Sequence, residues 1–317
     1  MSEAVKDEMN FKPWILQRAD PYVVKAENGY YFTASVPAYD RIVLRFSKTL
    51  DGLATAEEKT IWEKHESGPM SEHIWAPEMH FLFGAWYIYF AASEAEDIWK
   101  LRPYVLKCTG LNPLEDEWIE LGKMQRSEDD PFSFEAFSLD ATVFEDAGRW
   151  YYVWAEKVGV GRQVSNLYIA EMEDGNKLST AQVLLTTPDY AWERHEFWVN
   201  EGPAVIKHND YLFLTFSASD TSAAYCVGLM RAKLGSDFLD PRSWEKFNKP
   251  VLKSNIEKGL YGPGHNCFVK DENGNDVIVF HTRTTDKLIC DNPLYDPNRH
   301  AMKRIVEWSE DGLPIFE

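Results

Sequence analysis

The sequence predicts an all-β protein: a five-bladed β-propeller of four-stranded antiparallel blades, one domain over residues 1–317 with its site at the central channel. Three observations predict it. One motif recurs five times at near-constant spacing, the mark of a repeat architecture such as a propeller. Within each copy, apolar and polar residues alternate with period two, as in half-buried strands. No long amphipathic helical pattern interrupts the copies.

The motif is a polar, acidic or Pro/Gly-containing turn, a short apolar strand, a turn with Gly, Asn or Asp, and an aromatic strand ending in small residues. It reads ADPYVVKAENGYYFTAS from Ala19, WAPEMHFLFGAWYIYFAAS from Trp75 and LDATVFEDAGRWYYVWAE from Leu139. It then reads NEGPAVIKHNDYLFLTFSAS from Asn200 and GPGHNCFVKDENGNDVIVFHTR from Gly262. With Asp20, Ala76, Asp140, Glu201 and Pro263 as starts, the intervals are 56, 64, 61 and 62 residues. Between copies, RIVLRFSK, PYVLKCTG, NLYIAEME and YCVGLMRAK predict third strands. TAEEKTIWEKHE and LLTTPDYAWERHE complete fourth strands or connections. A sandwich has no reason to repeat in this way.

Composition narrows the function. The net charge of −18 disfavours nucleic acid or an anionic membrane surface as partner. The N-terminus, MSEAVKDEMNFKPW, carries acidic charges where a signal peptide carries basic ones, and no apolar run follows. The expectation is therefore a cytoplasmic protein, with Cys108, Cys226, Cys267 and Cys290 as reduced, mostly buried thiols. No C-x-x-C, H-E-x-x-H, G-x-S-x-G or phosphate-loop motif occurs, and GVGRQ is not one. Aromatic residues reach 14%, with 12 Trp and 15 Tyr, which suits stacking on sugar rings.

In a propeller, equivalent positions of the innermost strands converge on the channel. The repeat starts place Asp20, Glu78 or its neighbours, Asp140, Glu201 and His265 there. Converging acids repel one another, and stability alone gives no reason to bury them together. Two carboxyl groups pushed to different pKa values suit glycosidic cleavage, one protonating the leaving oxygen and one activating water.

RADPYV, HIWAPEMH, FSLDATVF, VNEGPAV and GPGHNCF, with NRHAMKRIVEWSEDGLPIF near the C-terminus, resemble in order the motifs of glycoside hydrolase family 43. Within that family the chain is most similar to intracellular, exo-acting α-L-arabinofuranosidases of α-1,5-arabino-oligosaccharides. The resemblance implies an inverting hydrolase with Asp20 as general base, Glu201 as general acid and Asp140 tuning the acid. It implies that Trp75, His265 and Arg299 bind substrate. It leaves open a Ca²⁺ or Na⁺ ion near the channel centre, met by His265 directly or through water, although the chemistry requires no cofactor. NRHAMKR departs from the G-R-E-x pattern of xylosidase-like members, and LDATVF lacks the D-x-D-G of many family members.

The expected partner is a small arabino-oligosaccharide, and a homo-oligomer is left open. TASVPAYDR and AASEAEDIWK are the expected walls of an exo pocket, and EDD at Glu128 and EDIWK at Glu96 are expected as solvated loops. A β-D-xylosidase or endo-arabinanase on the same scaffold is the rival enzyme, and a noncatalytic sugar-binding propeller the rival of another class.

Overall fold

The structure, a computed structural model, describes residues 12–158 and 164–316. The acidic start of the chain and the GVGRQ segment lie outside the described residues. The described chain is all-β, with only five single-turn 3₁₀ segments besides its strands.

The first repeat folds as β1 (Ala19–Ala26), β2 (Gly29–Ser35), β3 (Arg41–Ser47) and β4 (Glu58–Glu63), paired in that order. The second gives β5 (Glu72–Leu82), β6 (Ala85–Glu94), β7 (Asp97–Cys108) and β8 (Trp118–Lys123), again in order. These two sheets match the four-strand expectation, and TAEEKTIWEKHE supplies β4.

The later repeats depart from it. β9 (Ser138–Asp146), β10 (Arg149–Val158), β11 (Val164–Asp174), β12 (Lys177–Leu178) and β13 (Val183–Thr186) continue into β14 (Trp198–His208), β15 (Tyr211–Ala218), β16 (Cys226–Lys233) and β17 (Trp244–Lys246) as one nine-stranded sheet. The seam is a two-residue parallel pairing, Val164 with Trp198 and Ser165 with Val199. The last repeat has three strands, β18 (Tyr261–Lys270), β19 (Asp276–Arg283) and β20 (His300–Ile305), and β21 (Glu307–Trp308) pairs separately with β22 (Pro314–Ile315). EDIWK is not the expected loop, because Asp97–Lys100 open β7.

The repeat is visible in the backbone as a bulge. In each innermost strand one extra residue opposes the neighbouring strand, after Ala19, Trp75, Leu139, Glu201 and Gly264. The residue that follows is left-handed every time: Asp20 (φ 51°), Ala76 (46°), Asp140 (52°), Gly202 (53°) and His265 (44°). These positions are 56, 64, 62 and 63 residues apart, a truer repeat marker than the motif starts. Four of the five are not glycine, so each holds strain of about 1–3 kcal/mol that the surrounding structure must offset. A bulge re-aims a side chain, and here it turns Asp20, Asp140 and His265 inward.

Side chains link successive sheets at the bulges. Ala76 N–H donates to Ser35 Oγ (2.8 Å), His265 N–H to Ser217 Oγ (2.7 Å) and Asp20 N–H to His281 Nδ1 (3.1 Å). The three acceptors occupy equivalent places, each opposite the residue that precedes its own sheet's bulge.

The apolar core lies between sheets. Tyr31, Ile42, Ile88 and Leu106 fill the gap between the first two. Tyr89, Val143, Tyr152 and Trp154 fill the next. Tyr151, Ile169, Leu214 and Phe216 pack across the long sheet. Val227, Ile278 and Phe280 join it to the last repeat. Val23, Phe32, Val269 and Val279 join the last repeat to the first. The innermost strands accordingly touch in the cyclic order β1, β5, β9, β14, β18 and β1 again.

The N-terminal segment clasps the last sheet. Ile15 bridges Ala301, Trp14 N–H and Ile15 N–H both donate to Ala301 O, and Gln17 N–H donates to His300 Nδ1 at 3.0 Å. Ile15 is buried among Val23, Leu50 and Val279. Ile15→Ala should cost about 2–5 kcal/mol, read as a lower urea midpoint with unchanged slope. An unchanged midpoint would show that the clasp carries no stability.

Candidate active site

A cavity of about 790 Å³ opens over the bulges. All six residues singled out in the sequence line it: Asp20, Trp75, Asp140, Glu201, His265 and Arg299. Glu78 does not. Its buried carboxylate meets His80 Nε2 at 2.9 Å, and His80 Nδ1 meets Tyr22 Oη at 3.1 Å.

His265 is the centre of the floor. Its Nδ1 lies 3.2 Å from Asp20 Oδ1 and 3.7 Å from Asp140 Oδ2. Burial opposes a charge on this ring, but Asp140, Asp20, Glu78 and Glu201 outweigh it and raise its pKa. The ring therefore favours a positive charge among the acids. Gly202 makes room for it, because a Cβ there would lie 3.2 Å from His265 Cγ.

The three acids differ. For Asp20, burial would raise the pKa, but His265 and Arg299, whose Nη1 is 3.8 Å from Oδ1, hold it well below the usual carboxylate range. Ser35 Oγ donates to Asp20 Oδ2 at 2.6 Å. His281 Nδ1 is also 3.3 Å from Asp20 Oδ1, but a nitrogen accepting the Asp20 N–H carries no proton and cannot donate there. Burial fits this, lowering the His281 pKa to about 4. Asp140 lies well above the usual range, through burial first and then the charges of Glu201 and Asp20. Glu201 is raised as well, by burial and by Asp20, although Tyr225, His265 and Lys157 draw it down. The floor thus holds one ionised carboxylate beside two that favour their protons.

The sequence did not single out Tyr225, His281, Ser35 or Tyr39. Tyr225 Oη donates to Glu201 Oε1 at 2.8 Å, and its ring stacks on His281 at 5.6 Å. Gly264 leaves space for that ring, since a Cβ there would sit 2.3 Å from Tyr225 Cε1. Arg299 Nη2 donates to Tyr39 Oη (2.6 Å), and Tyr39 Oη donates to Leu294 O (2.6 Å). For Ser35 the available signal was its place among the small residues that end the second strand of its copy.

Of the expected walls, AASEAEDIWK supplies Trp99 to the cavity, and TASVPAYDR supplies Tyr39 behind Arg299. The remaining wall comes from His195–Val199, Ser219–Ser222 and Leu288–Leu294. Trp75 stacks on His73 at 4.4 Å and meets Tyr39 edge-on at 5.5 Å. Trp75 Nε1 and Arg299 Nε are buried donors without a partner in the protein.

A Ca²⁺ or Na⁺ ion on this floor would share it with His265, whose Nδ1 already faces both aspartates. Among the described residues no three His, Cys, Asp or Glu side chains are grouped to hold a metal.

Bulged strands that bring one ionised carboxylate and two that favour their protons onto one floor make an arrangement able to do acid–base chemistry. The chain belongs to the glycosyl hydrolases family 43, whose profile matches residues 12–314. It is 46% identical over 306 residues to an extracellular exo-α-(1→5)-L-arabinofuranosidase of Streptomyces avermitilis, covering 96% of this chain. It spans only 62% of that relative's length. It is 44% identical to an enzyme of the same description from Streptomyces chartreusis, over 88% of this chain and 84% of that one. The crystal structure of an α-L-arabinofuranosidase from Lactobacillus brevis superposes with a TM-score of 0.91 at 46% identity, covering 98% of this chain and 97% of that one.

These relatives correct the cytoplasmic expectation. Both Streptomyces enzymes are described as extracellular, which points away from the cytoplasm. All four cysteines are free, three of them buried, but reduced buried thiols do not fix a compartment.

In ¹⁵N-detected NMR, His281 should stay neutral, protonated on Nε2, down to about pH 4. His265 should still carry both ring protons at pH 6.5, its ordinary midpoint. Asp20→Asn should lower the His265 midpoint, since Asp20 is one of the charges that raise it. A neutral His265 at pH 6.5 would refute this charge arrangement.

Proposed function

We propose that the chain is an inverting glycoside hydrolase that releases terminal α-L-arabinofuranose from α-1,5-linked arabino-oligosaccharides. The observation that carries it is the split on the cavity floor: Asp20 is held ionised while Glu201 is pushed to keep its proton. The high identity to the Streptomyces and Lactobacillus enzymes supports the sugar and linkage.

Asp20 is the base that takes a proton from water as its oxygen attacks the anomeric carbon. Glu201 gives its proton to the departing glycosidic oxygen, and the bond breaks with inversion. Burial and the ionised Asp20 keep the Glu201 proton on, and Asp140, itself pushed toward the protonated form, is the neighbour that tunes the acid. His265 and Arg299 spread positive charge over the floor, so Asp20 need not recapture a proton before it acts. Trp75 and Arg299 offer unpartnered buried donors that suit sugar hydroxyls.

We also propose that the sheets form a five-bladed propeller. The cyclic contacts of the innermost strands and the fivefold bulge support it. On that reading the long sheet is two blades joined by the Val164–Ser165 seam, and Ile15 stands beside β20 where a fourth strand would run.

The deciding assay is hydrolysis of α-1,5-arabinotriose with products followed over time. Stepwise release of arabinose is expected, with Glu201→Ala about 10²–10⁴ slower. Release of arabinobiose first would favour an endo enzyme, and turnover of xylosides alone a xylosidase. Proton NMR of the first turnovers should show the β-anomer of arabinofuranose, whereas an initial α-anomer would exclude inversion. Tyr225→Phe removes a hydrogen bond that lowers the Glu201 pKa. The alkaline limb of kcat/KM should then move up by about one pH unit, and a downward move would contradict the role of Glu201.

A further inference from the structure

Two of the cavity walls are joined by a buried arginine that the cleavage chemistry does not use. Arg283 closes β19 two residues after His281, and it does not itself line the cavity. Its Nη1 donates to Thr221 O at 2.6 Å and its Nη2 to Pro293 O. Thr221 belongs to the Ser219–Ser222 wall and Pro293 to the Leu288–Leu294 wall. These walls leave from different sheets, one after β15 and the other after β19. A guanidinium is a planar, rigid fork, so the two carbonyls it holds keep a fixed spacing.

Stability alone is a poor reason for this residue. Burial, and then the charge of Arg299, hold the Arg283 pKa down to about 10, so a cation is kept where charge is unwelcome. Its Nε is buried without a partner in the protein. Asp296 draws the pKa the other way, but its carboxylate is already occupied by the backbone N–H groups of Ile289 (3.0 Å) and Asn298 (2.7 Å).

The same seam is closed a second time, by other groups. Gly262 has a φ of 58°, and a Cβ there would lie 2.3 Å from Ser222 O. Ser254 Oγ accepts the Gly262 N–H at 2.8 Å and donates to Ala223 O at 2.6 Å. On the other wall, Leu294 O accepts from Tyr39 Oη (2.6 Å) and Arg299 Nη2 (3.3 Å). Each of these ties ends on a wall carbonyl. They fix the path of the backbone and leave the wall side chains free to meet a ligand.

We propose that Arg283 is a positioning residue that sets the spacing of these two walls, and through it the fit of the neutral oligosaccharide that enters the cavity. This rests on the hydrolase proposed above for the identity of the sugar. Arg283 acts through Thr221 and Pro293, on binding and not on the groups that break the bond.

The test is steady-state kinetics on α-1,5-arabinotriose, with the urea midpoint of each variant measured alongside. Arg283→Lys keeps the charge but has no fork to span both carbonyls, so KM should rise about tenfold with kcat within about twofold of wild type. Gly262→Ala leaves Arg283 intact and forces Ser222 to move, and it should raise KM about as much. An arginine that served stability alone would lower the midpoint, and kcat with the folded fraction, while leaving KM unchanged. That pattern in Arg283→Lys would overturn the proposal and leave the hydrolase standing. Should Arg283→Lys fail to fold, Gly262→Ala decides alone by the same criterion. Wild-type turnover judges the hydrolase separately. Should the wild type cleave nothing, calorimetry with arabinotriose and xylotriose decides. Binding about tenfold weaker in the variants than in wild type supports the role of Arg283. Unchanged affinity, or no binding of either sugar by the wild type, refutes it.

Discussion

Three carboxyl groups on one buried floor cannot all be ionised, and most of the site follows from how that conflict is resolved. The protein places the His265 ring between Asp20 and Asp140 and a guanidinium against Asp20. Positive charge is concentrated on one acid, so that acid is the one that ionises. The others meet mainly burial and mutual repulsion and keep their protons. Acid and base are thus told apart by their surroundings and not by residue type.

The backbone serves the same end. A left-handed residue inside a bulge turns one side chain of each innermost strand out of the sheet. Asp20, Asp140 and His265 occupy that residue. Glu201 and Trp75 stand one place earlier, before Gly202 and Ala76. The proposed acid therefore leaves its strand from a different point than the proposed base. A smaller residue than His265 would remove both the steric reason for Gly202 and the charge that keeps Asp20 ionised.

Much of this was legible in the sequence. The five copies and their acids could be read because repetition exposes what varies against a constant background, so Asp20, Asp140, Glu201, His265, Trp75 and Arg299 all reach one cavity. Tyr225 and His281 were not legible, since a lone Tyr or His in an alternating strand has the pattern of a core residue. The seam from Val164 to Trp198 involves two residue pairs and leaves no periodic trace. EDIWK looked like a solvated loop because its charges hide Trp99, half-exposed and turned to the cavity. The compartment was misread because an acidic N-terminal stretch with no apolar run does not report on where the folded domain works.

The clasp between Ile15 and Ala301 bears on the order of assembly. β1 has no neighbour on one side until β18, β19 and β20 are in place. The contact that then forms joins residues far apart in sequence, and such distant contacts repay the entropy of loop closure late. Asp20 waits with that strand, because His265, His281 and Arg299 all lie in the segment from β18 to β20. Sheet after sheet can therefore be complete while the floor still lacks the groups that set its charges.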